Sequence, residues 1–245
     1  AGLGAVVPPP HPAPPLPVTG RGGPSREVRW TSVPLAPFTE VAHRHGATLN
    51  DVALTVVAGA LRRTLGPGAA GLVPQVLVPV GDAVPGAAGN LFSFVVTGLP
   101  VGTSDPHAVL AEVHDRMELR KQSLQAAAVH SLFSLVDLVP VALLRRAAPA
   151  VLGRQPFVNL VVTNLPGSVV PLYLRGARLR EVHPVITGIG NVACIVGVMS
   201  YCDQLGLSVT VDPDVVDDPD GLLAALDESA AEVAACAPTA RRRTT

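Results

Sequence analysis

The side chains able to do chemistry in this sequence fall into a few clusters. His43-Arg44-His45 has the spacing of a metal-ligand pair. On a helix, though, positions i and i+2 diverge, and no cysteine or carboxylate group accompanies them. A solvated helix end, where histidine suits the negative pole of the dipole, is the simpler reading. The acidic string Asp212, Asp214, Asp217, Asp218 and Asp220 lacks the alternation and distal glutamate of a calcium loop, so capping and turn formation are expected of it. No metal site is expected. Thr48-x-x-Asp51 fits a capping box, in which side chains satisfy the first unpaired amides of a helix. Asn50 and Asp51, fixed by that cap, are also placed to hold a facing loop or catalytic group. Pro166-Gly167 follows an apolar run and predicts a type II turn, because proline presets one torsion and glycine supplies the positive one. Such a turn would lie where open α/β sheets bind ligands, beyond a strand end. Serine elbows, P-loops and dinucleotide fingerprints are missing, and Gly188-x-Gly190 has no third glycine at the required spacing. The residues present form no complete catalytic set.

The elements that must position these groups can be read from periodicity. Leu35 to His45 predicts a short helix, and Thr48 opens a second with Val52, Val56, Val57, Ala60, Leu61 and Leu65 on one side, ended by Gly66-Pro67. Val73 to Val80 and Leu91 to Leu99 read as a buried strand pair. Ser104-Asp105-Pro106 starts an amphipathic helix carrying Val109, Val113 and Met117. Phe157 to Thr163 is expected as a strand ending in Asn164-Leu165-Pro166-Gly167. Ala193 to Tyr201 and Leu205 to Val211 flank Cys202-Asp203-Gln204 as a β-hairpin. Asp218-Pro219 caps a last helix with Leu222, Leu223, Leu226 and Val233 on one face. Residues 129–152 are apolar almost all round and broken by Pro140 and Pro149. They predict one or two helices packed inside, or against lipid or substrate.

Composition narrows the function classes. A 48% hydrophobic content and a mean hydropathy of +0.41 are those of a folded chain with a core. Eighteen basic against 19 acidic side chains give a net charge of −1, without the basic excess that nucleic acid would require. Three cysteines without C-x-x-C spacing indicate neither a disulfide framework nor zinc. The apolar stretches fall short of the ~20 residues of a membrane span, and no signal peptide is visible, so a cytoplasmic setting is expected. Residues 1–26 carry eight prolines among glycines and are expected as an extended linker. Residues 27–237 then form the folded part, and 238–245 a basic tail. Alternating strand and helix patterns predict an α/β fold with a mixed sheet packed with helices.

Taken in order, GATLNDVALTVVAGALRRTL, LVPV with GNLFSFVVTGLP, NLVVTNLPG followed by PLYLRGARL, GNVACIVGVMSY and LSVTVDPDVVDDPDGL resemble one family. It is the C-terminal half of bacterial wax ester synthase/diacylglycerol acyltransferases, and the resemblance runs from about Arg26 to Ala235. It implies the C-terminal lobe of a CoA-dependent acyltransferase fold, like chloramphenicol acetyltransferase and peptide-synthetase condensation domains. The implied activity moves a long-chain fatty acyl group from acyl-CoA to a fatty alcohol or diacylglycerol. Acyl-CoA is a substrate there, and no metal or redox cofactor is needed. The implied partners are those substrates, an N-terminal lobe, and a peripheral membrane or lipid-inclusion surface.

The general base of such enzymes is a histidine of a His-His-x-x-x-Asp-Gly motif on the first lobe, and none of the seven histidines here sits in that pattern. The resemblance makes Asn50 and Asp51 the family's Asn-Asp support of the active site. It makes Asn164, Leu165, Pro166 and Gly167 its Asn-Val-Pro-Gly-Pro motif, with Leu165 for valine and Ser168 for the final proline. That last change is expected to loosen the turn's exit. Pro171, Leu172 and Tyr173 match a Pro-Leu-Tyr block along a substrate tunnel, and Gly89 and Asn90 are candidate loop contacts. Gly81-Asp82 stands where members have serine and a nearby arginine, and the Asp-Phe-Gly-Trp-Gly motif of condensation-type relatives is absent. The alternatives are a non-catalytic lipid-binding module of the same fold, and transfer to another alcohol acceptor.

Overall fold

Apolar strands, two of them buried almost throughout, and helices with buried stripes beside them assemble into one six-stranded mixed sheet. A computed structural model describes residues 12–80, 93–122, 153–188 and 190–238. The strands are β1 (Glu27–Pro34), β2 (Gln75–Val80), β3 (Ser93–Gly98), β4 (Leu160–Leu165), β7 (Cys194–Tyr201) and β8 (Gln204–Val211), with a separate small hairpin of β5 (Tyr173–Leu174) and β6 (Ala177–Arg178). The sheet order is β1-β8-β7-β4-β2-β3. Pairings are antiparallel except β7 with β4 and β4 with β2, which are parallel.

Helices α1 (Leu35–Arg44), α2 (Leu49–Leu65), α3 (Pro106–Gln122) and α4 (Pro219–Ala235) accompany it. Strand periodicity sends Val76, Val78, Cys194, Val196, Val198, Leu205, Leu207, Val209 and Val211 into one core with the buried faces of these helices. Leu77, Val161 and Ile195 point to the other face, into a smaller cluster with Val158 and Val192. Over that second face lies the coil 182–184. It approaches so closely that a Cβ on Gly206 would sit 2.4 Å from the Val182 carbonyl oxygen, while Ser208 Oγ donates to the Pro184 oxygen at 2.5 Å.

Several expectations need revision. The strand expected over Phe157 to Thr163 begins at Leu160 and takes in Asn164 and Leu165. The reason is Gln155, whose Oε1 accepts from the Phe157 and Val158 amides at 2.9 Å and holds them in a turn. The stretch expected as a linker is extended in its described part but packed. Leu16 and Val18 are buried, the Ala13 amide donates to Pro156 O (2.7 Å), and Asn159 Nδ2 donates to Pro14 O (2.7 Å). A proline-rich backbone with few donors of its own can be held through its carbonyls in this way. The 129–152 segment, Gly89 and Asn90 lie outside the described residues. Among the described residues, no helix is long and apolar enough to cross a membrane.

Candidate functional site

The parallel strands β2, β4 and β7 all end on one rim of the sheet, and so does the Asn164–Gly167 motif. β2 ends at Val80 and β4 at Leu165, followed by Pro166-Gly167, while β7 ends at Tyr201, followed by Cys202-Asp203. α2 runs back over the sheet to the same rim. Its second half, at Val57, Ala60 and Leu61, shares a small void with Leu160, Cys194 and Val196, so its first turn, with Asn50 and Asp51, points toward the strand ends. At the rim the β2–β4 ladder opens. Pairing between them is confined to Val76–Leu160 and Leu77–Val161, whereas β4 and β7 stay paired through Leu165–Met199. Pro79, lacking an amide hydrogen, can donate no rung on the β2 side. A crevice at the carboxyl ends of parallel strands is where α/β sheets take ligands.

The α2 terminus is fixed as its sequence predicts, and by more. Thr48 Oγ1 accepts from the Asp51 amide (3.2 Å) and Asp51 Oδ2 accepts from the Thr48 amide (2.9 Å), a complete capping box. Asp51 is fully buried, and the same Oδ2 lies 3.0 Å from His114 Nδ1 of α3. Its Oδ1 has no hydrogen-bond partner. Sequence reasoning missed His114. The only available signal was its place on α3 beside buried Val113, 63 residues from Asp51. A second contact, His107 Nδ1 to His45 Nε2 at 3.1 Å, ties the α1–α2 corner to the start of α3. The carboxylate–imidazole pair can orient a proton-accepting ring, but the described residues place no nucleophile or thiol-activating group beside it.

Around Gly167 the type II turn is not formed. Gly167 is absent from the residues with positive φ, and its role is close approach: a Cβ there would sit 1.9 Å from the Ser200 carbonyl oxygen of β7. The chain instead continues beside β7, with the Gly167 amide donating to Ser200 Oγ (3.3 Å) and the Cys202 amide to Ser168 O (2.8 Å). Nor does Ser168 leave the exit loose. Its hydroxyl donates to Val170 O (2.7 Å) and accepts from the Val170 amide (3.2 Å), closing a small turn that proline would have preset. Asn164 Oδ1 is buried there without a partner. Pro171, Leu172 and Tyr173 are exposed and do not line an enclosed cavity among the described residues; the Leu172 amide donates to Tyr201 Oη (2.8 Å). Thus Asn164–Gly167 lies on the rim, the Asn50–Asp51 terminus is directed toward it, and Pro171–Tyr173 projects from it.

The acidic string caps and braces. Asp218 accepts from the Gly221 amide (2.8 Å), Asp212, almost fully buried, pairs with Arg26 (2.6 Å), and Asp220 pairs with Arg29 (2.6 Å). Among the described residues, no three His, Cys, Asp or Glu side chains are placed to share a metal ion. Beside the rim, His43 and Arg44 line an open groove of about 840 Å³ with Leu35, Thr39, Glu40 and Asp203.

Comparison with known proteins places this architecture. The family profile described as WS/DGAT C-terminal domain matches residues 88–234. A Mycobacterium tuberculosis protein that bears the name diacylglycerol O-acyltransferase is 35% identical over 236 residues, covering 92% of this chain and 50% of the relative. A second from that organism, named likewise, is 27% identical over 241 residues. The chain spans about half the length of the curated relatives it matches. Among solved structures, a wax ester synthase/diacylglycerol acyltransferase from Marinobacter aquaeolei VT8 superposes with a TM-score of 0.70 at 25% identity, over 90% of this chain and 51% of that one. A condensation domain of the calcium-dependent antibiotic synthetase shares the fold, with a TM-score of 0.57 at 22% identity. With the profile spanning more than half of its length, this chain belongs to the WS/DGAT C-terminal domain family.

Proposed function

We propose that the chain is the C-terminal lobe of an acyl-CoA-dependent O-acyltransferase that moves a long-chain fatty acyl group to a fatty alcohol or diacylglycerol. The observation that carries this reading is the rim. β4 runs into Asn164–Gly167 at the end of the sheet where β2 and β4 stop pairing, and the direction of α2 over the sheet turns the Asn50–Asp51 terminus toward that end. In the reaction, the acceptor hydroxyl oxygen attacks the thioester carbonyl and loses its proton to a base, and the CoA thiolate leaves. The base is assigned to a His-His-x-x-x-Asp-Gly motif on an N-terminal lobe, in the same protein or as a separate chain. This lobe's own task is to hold the α2 terminus, through Thr48, Asp51 and His114, and the β4 exit, through Gly167 and Ser168, as a wall of the substrate path. Acyl-CoA enters as substrate, and no metal or redox cofactor has a role. The apolar acceptors also call for a peripheral contact with membrane or lipid inclusions.

The test is CoA release from palmitoyl-CoA with hexadecanol or diacylglycerol, by this chain alone and mixed with an N-terminal half carrying the histidine motif. Acceptor-dependent turnover on mixing, and none by the chain alone, is the expected result. Turnover by the chain alone moves the base onto this lobe. Silence in the mixture, with a fatty ligand still bound, replaces the reading with a lipid-binding module.

A further inference from the structure

Beyond Ser168 the chain leaves the rim as an exposed arm that lines no enclosed cavity among the described residues. The β5–β6 hairpin is pinned at its base by Tyr201, whose Oη accepts from the Leu172 amide (2.8 Å) and donates to Leu179 O (3.1 Å). Arg175 and Gly176 form its tip, both at positive φ (48° and 85°), as a type I′ hairpin turn requires. Register sorts the side chains. Leu174 lies opposite Ala177, and the Leu179 amide donates to Leu172 O (2.9 Å), so Leu172, Leu174, Ala177 and Leu179 share one face. Tyr173 and Arg178 lie opposite each other on the other face.

Every residue from Val169 to Glu181 is exposed, with Val169 at 85% and Leu174 at 79%. Strands of two residues build no core of their own, so this apolar face is presented outward. Its charge is mostly positive, three arginines against Glu181, whose carboxylate is turned to Ser32 and His183. Residues 155–180 contain Arg175, Arg178 and Arg180 and no aspartate or glutamate, in a chain whose net charge is −1. The three guanidinium groups have no ion-pair partner among the described residues.

We propose that this hairpin is an interfacial anchor that seats the lobe on an anionic lipid surface. The Leu172–Leu174–Leu179 face enters the acyl boundary, while Tyr173 and the arginines stay at the headgroups. An exposed arm with three arginines against one carboxylate fits a fluid anionic interface. A protein partner would instead have to supply a matching apolar socket and fixed carboxylates. The proposal rests on the acyl-transfer reading for its purpose, because it gives the lipid contact of that reading a place on the molecule.

The experiment is flotation of the chain with vesicles of phosphatidylcholine alone and of phosphatidylcholine with phosphatidylglycerol, beside the CoA-release assay in detergent-dispersed acceptor. The chain is expected to float with the anionic vesicles and to be released by salt. L174D/L179D should lower vesicle partition by about tenfold or more, and R178E/R180E should abolish the preference for phosphatidylglycerol. Both variants should keep the unfolding temperature of the parent and, mixed with the N-terminal half, its activity in detergent. No flotation, or flotation that neither variant changes, overturns the anchor. So does a variant that floats normally but no longer reconstitutes activity with the N-terminal half, since the arm would then dock protein. A failure in the detergent assay alone overturns the acyl-transfer reading and leaves the anchor standing.

Discussion

Replacing Gly167 with alanine separates two reasons for a glycine. A Cβ built there lies 1.9 Å from the Ser200 carbonyl oxygen, which is backbone paired in the β7–β8 ladder beside its turn rather than the far end of a flexible side chain. A carbon–oxygen contact settles near about 3.3 Å, so the β4 exit must move by about 1.4 Å from β7. That shift strains the Gly167 amide's bond to Ser200 Oγ and the Cys202 amide's bond to Ser168 O. Overpacking costs about 1–3 kcal/mol and one weakened buried hydrogen bond about 1 kcal/mol. Together, roughly 2–4 kcal/mol corresponds to a fall in Tm of about 4–16 °C for a domain of this size. Calorimetry of G167A against G102A makes the comparison, because a Cβ on Gly102 meets nothing within 4 Å. G167N sharpens it: asparagine tolerates positive φ, so a turn glycine would accept it, whereas close approach makes it at least as damaging as alanine. A Tm for G167A within about 1 °C of the parent, with G167N equally benign, refutes the close-approach account.

Other perturbations probe the supports. Asp51→Ala removes the capping box and the His114 contact and should cost about 1–2 kcal/mol; a double-mutant cycle with His114→Ala that returns no coupling denies the pair any role. Arg26→Ala strands the buried Asp212 carboxylate, an expected loss of about 1–3 kcal/mol once Arg26's partial exposure is allowed for, and Arg26→Lys should restore part of it in urea titrations. Burial pushes the Cys194 thiol up to about 12, and Cys236 is raised by its partial burial and by Asp105 and Glu232. At pH 8 a disulfide reagent should therefore modify Cys202 first and Cys236 more slowly, the latter quickening as pH rises, with Cys194 reached only on unfolding. Native-state labelling of Cys194 contradicts its placement.

What the sequence made legible was local. The α2 start is written within four residues, Thr48 to Asp51, and the β7–β8 hairpin within its alternating apolar run, so both are found where periodicity and cap chemistry put them. Gly167 was misread because glycine serves both positive φ and close contact, and the choice between them depends on Ser200, 33 residues away. The late start of β4 turned on one side chain, Gln155, competing for backbone donors. For the site, resemblance supplied Asn50, Asp51 and Asn164–Gly167 by type. That α2 directs its first turn toward the β4 exit, and that His114 braces it, follows from strand order and helix direction, which no local window contains.

The limited β2–β4 seam also bears on how the chain folds. On one side of β4 stand the antiparallel strands β1, β8 and β7, on the other the antiparallel pair β2–β3, and β4 alone joins them. The β7–β8 pairing closes over a two-residue turn, but β4 meets β2 across 84 residues of chain. Loop-closure entropy must be met before that contact returns anything, so local hairpins should form early and the seam late. Substitutions at Leu160 or Val161 should then speed unfolding more than they slow folding. A nascent or stressed molecule would part first at this joint, into two half-sheets whose freshly bared edges invite pairing with other chains.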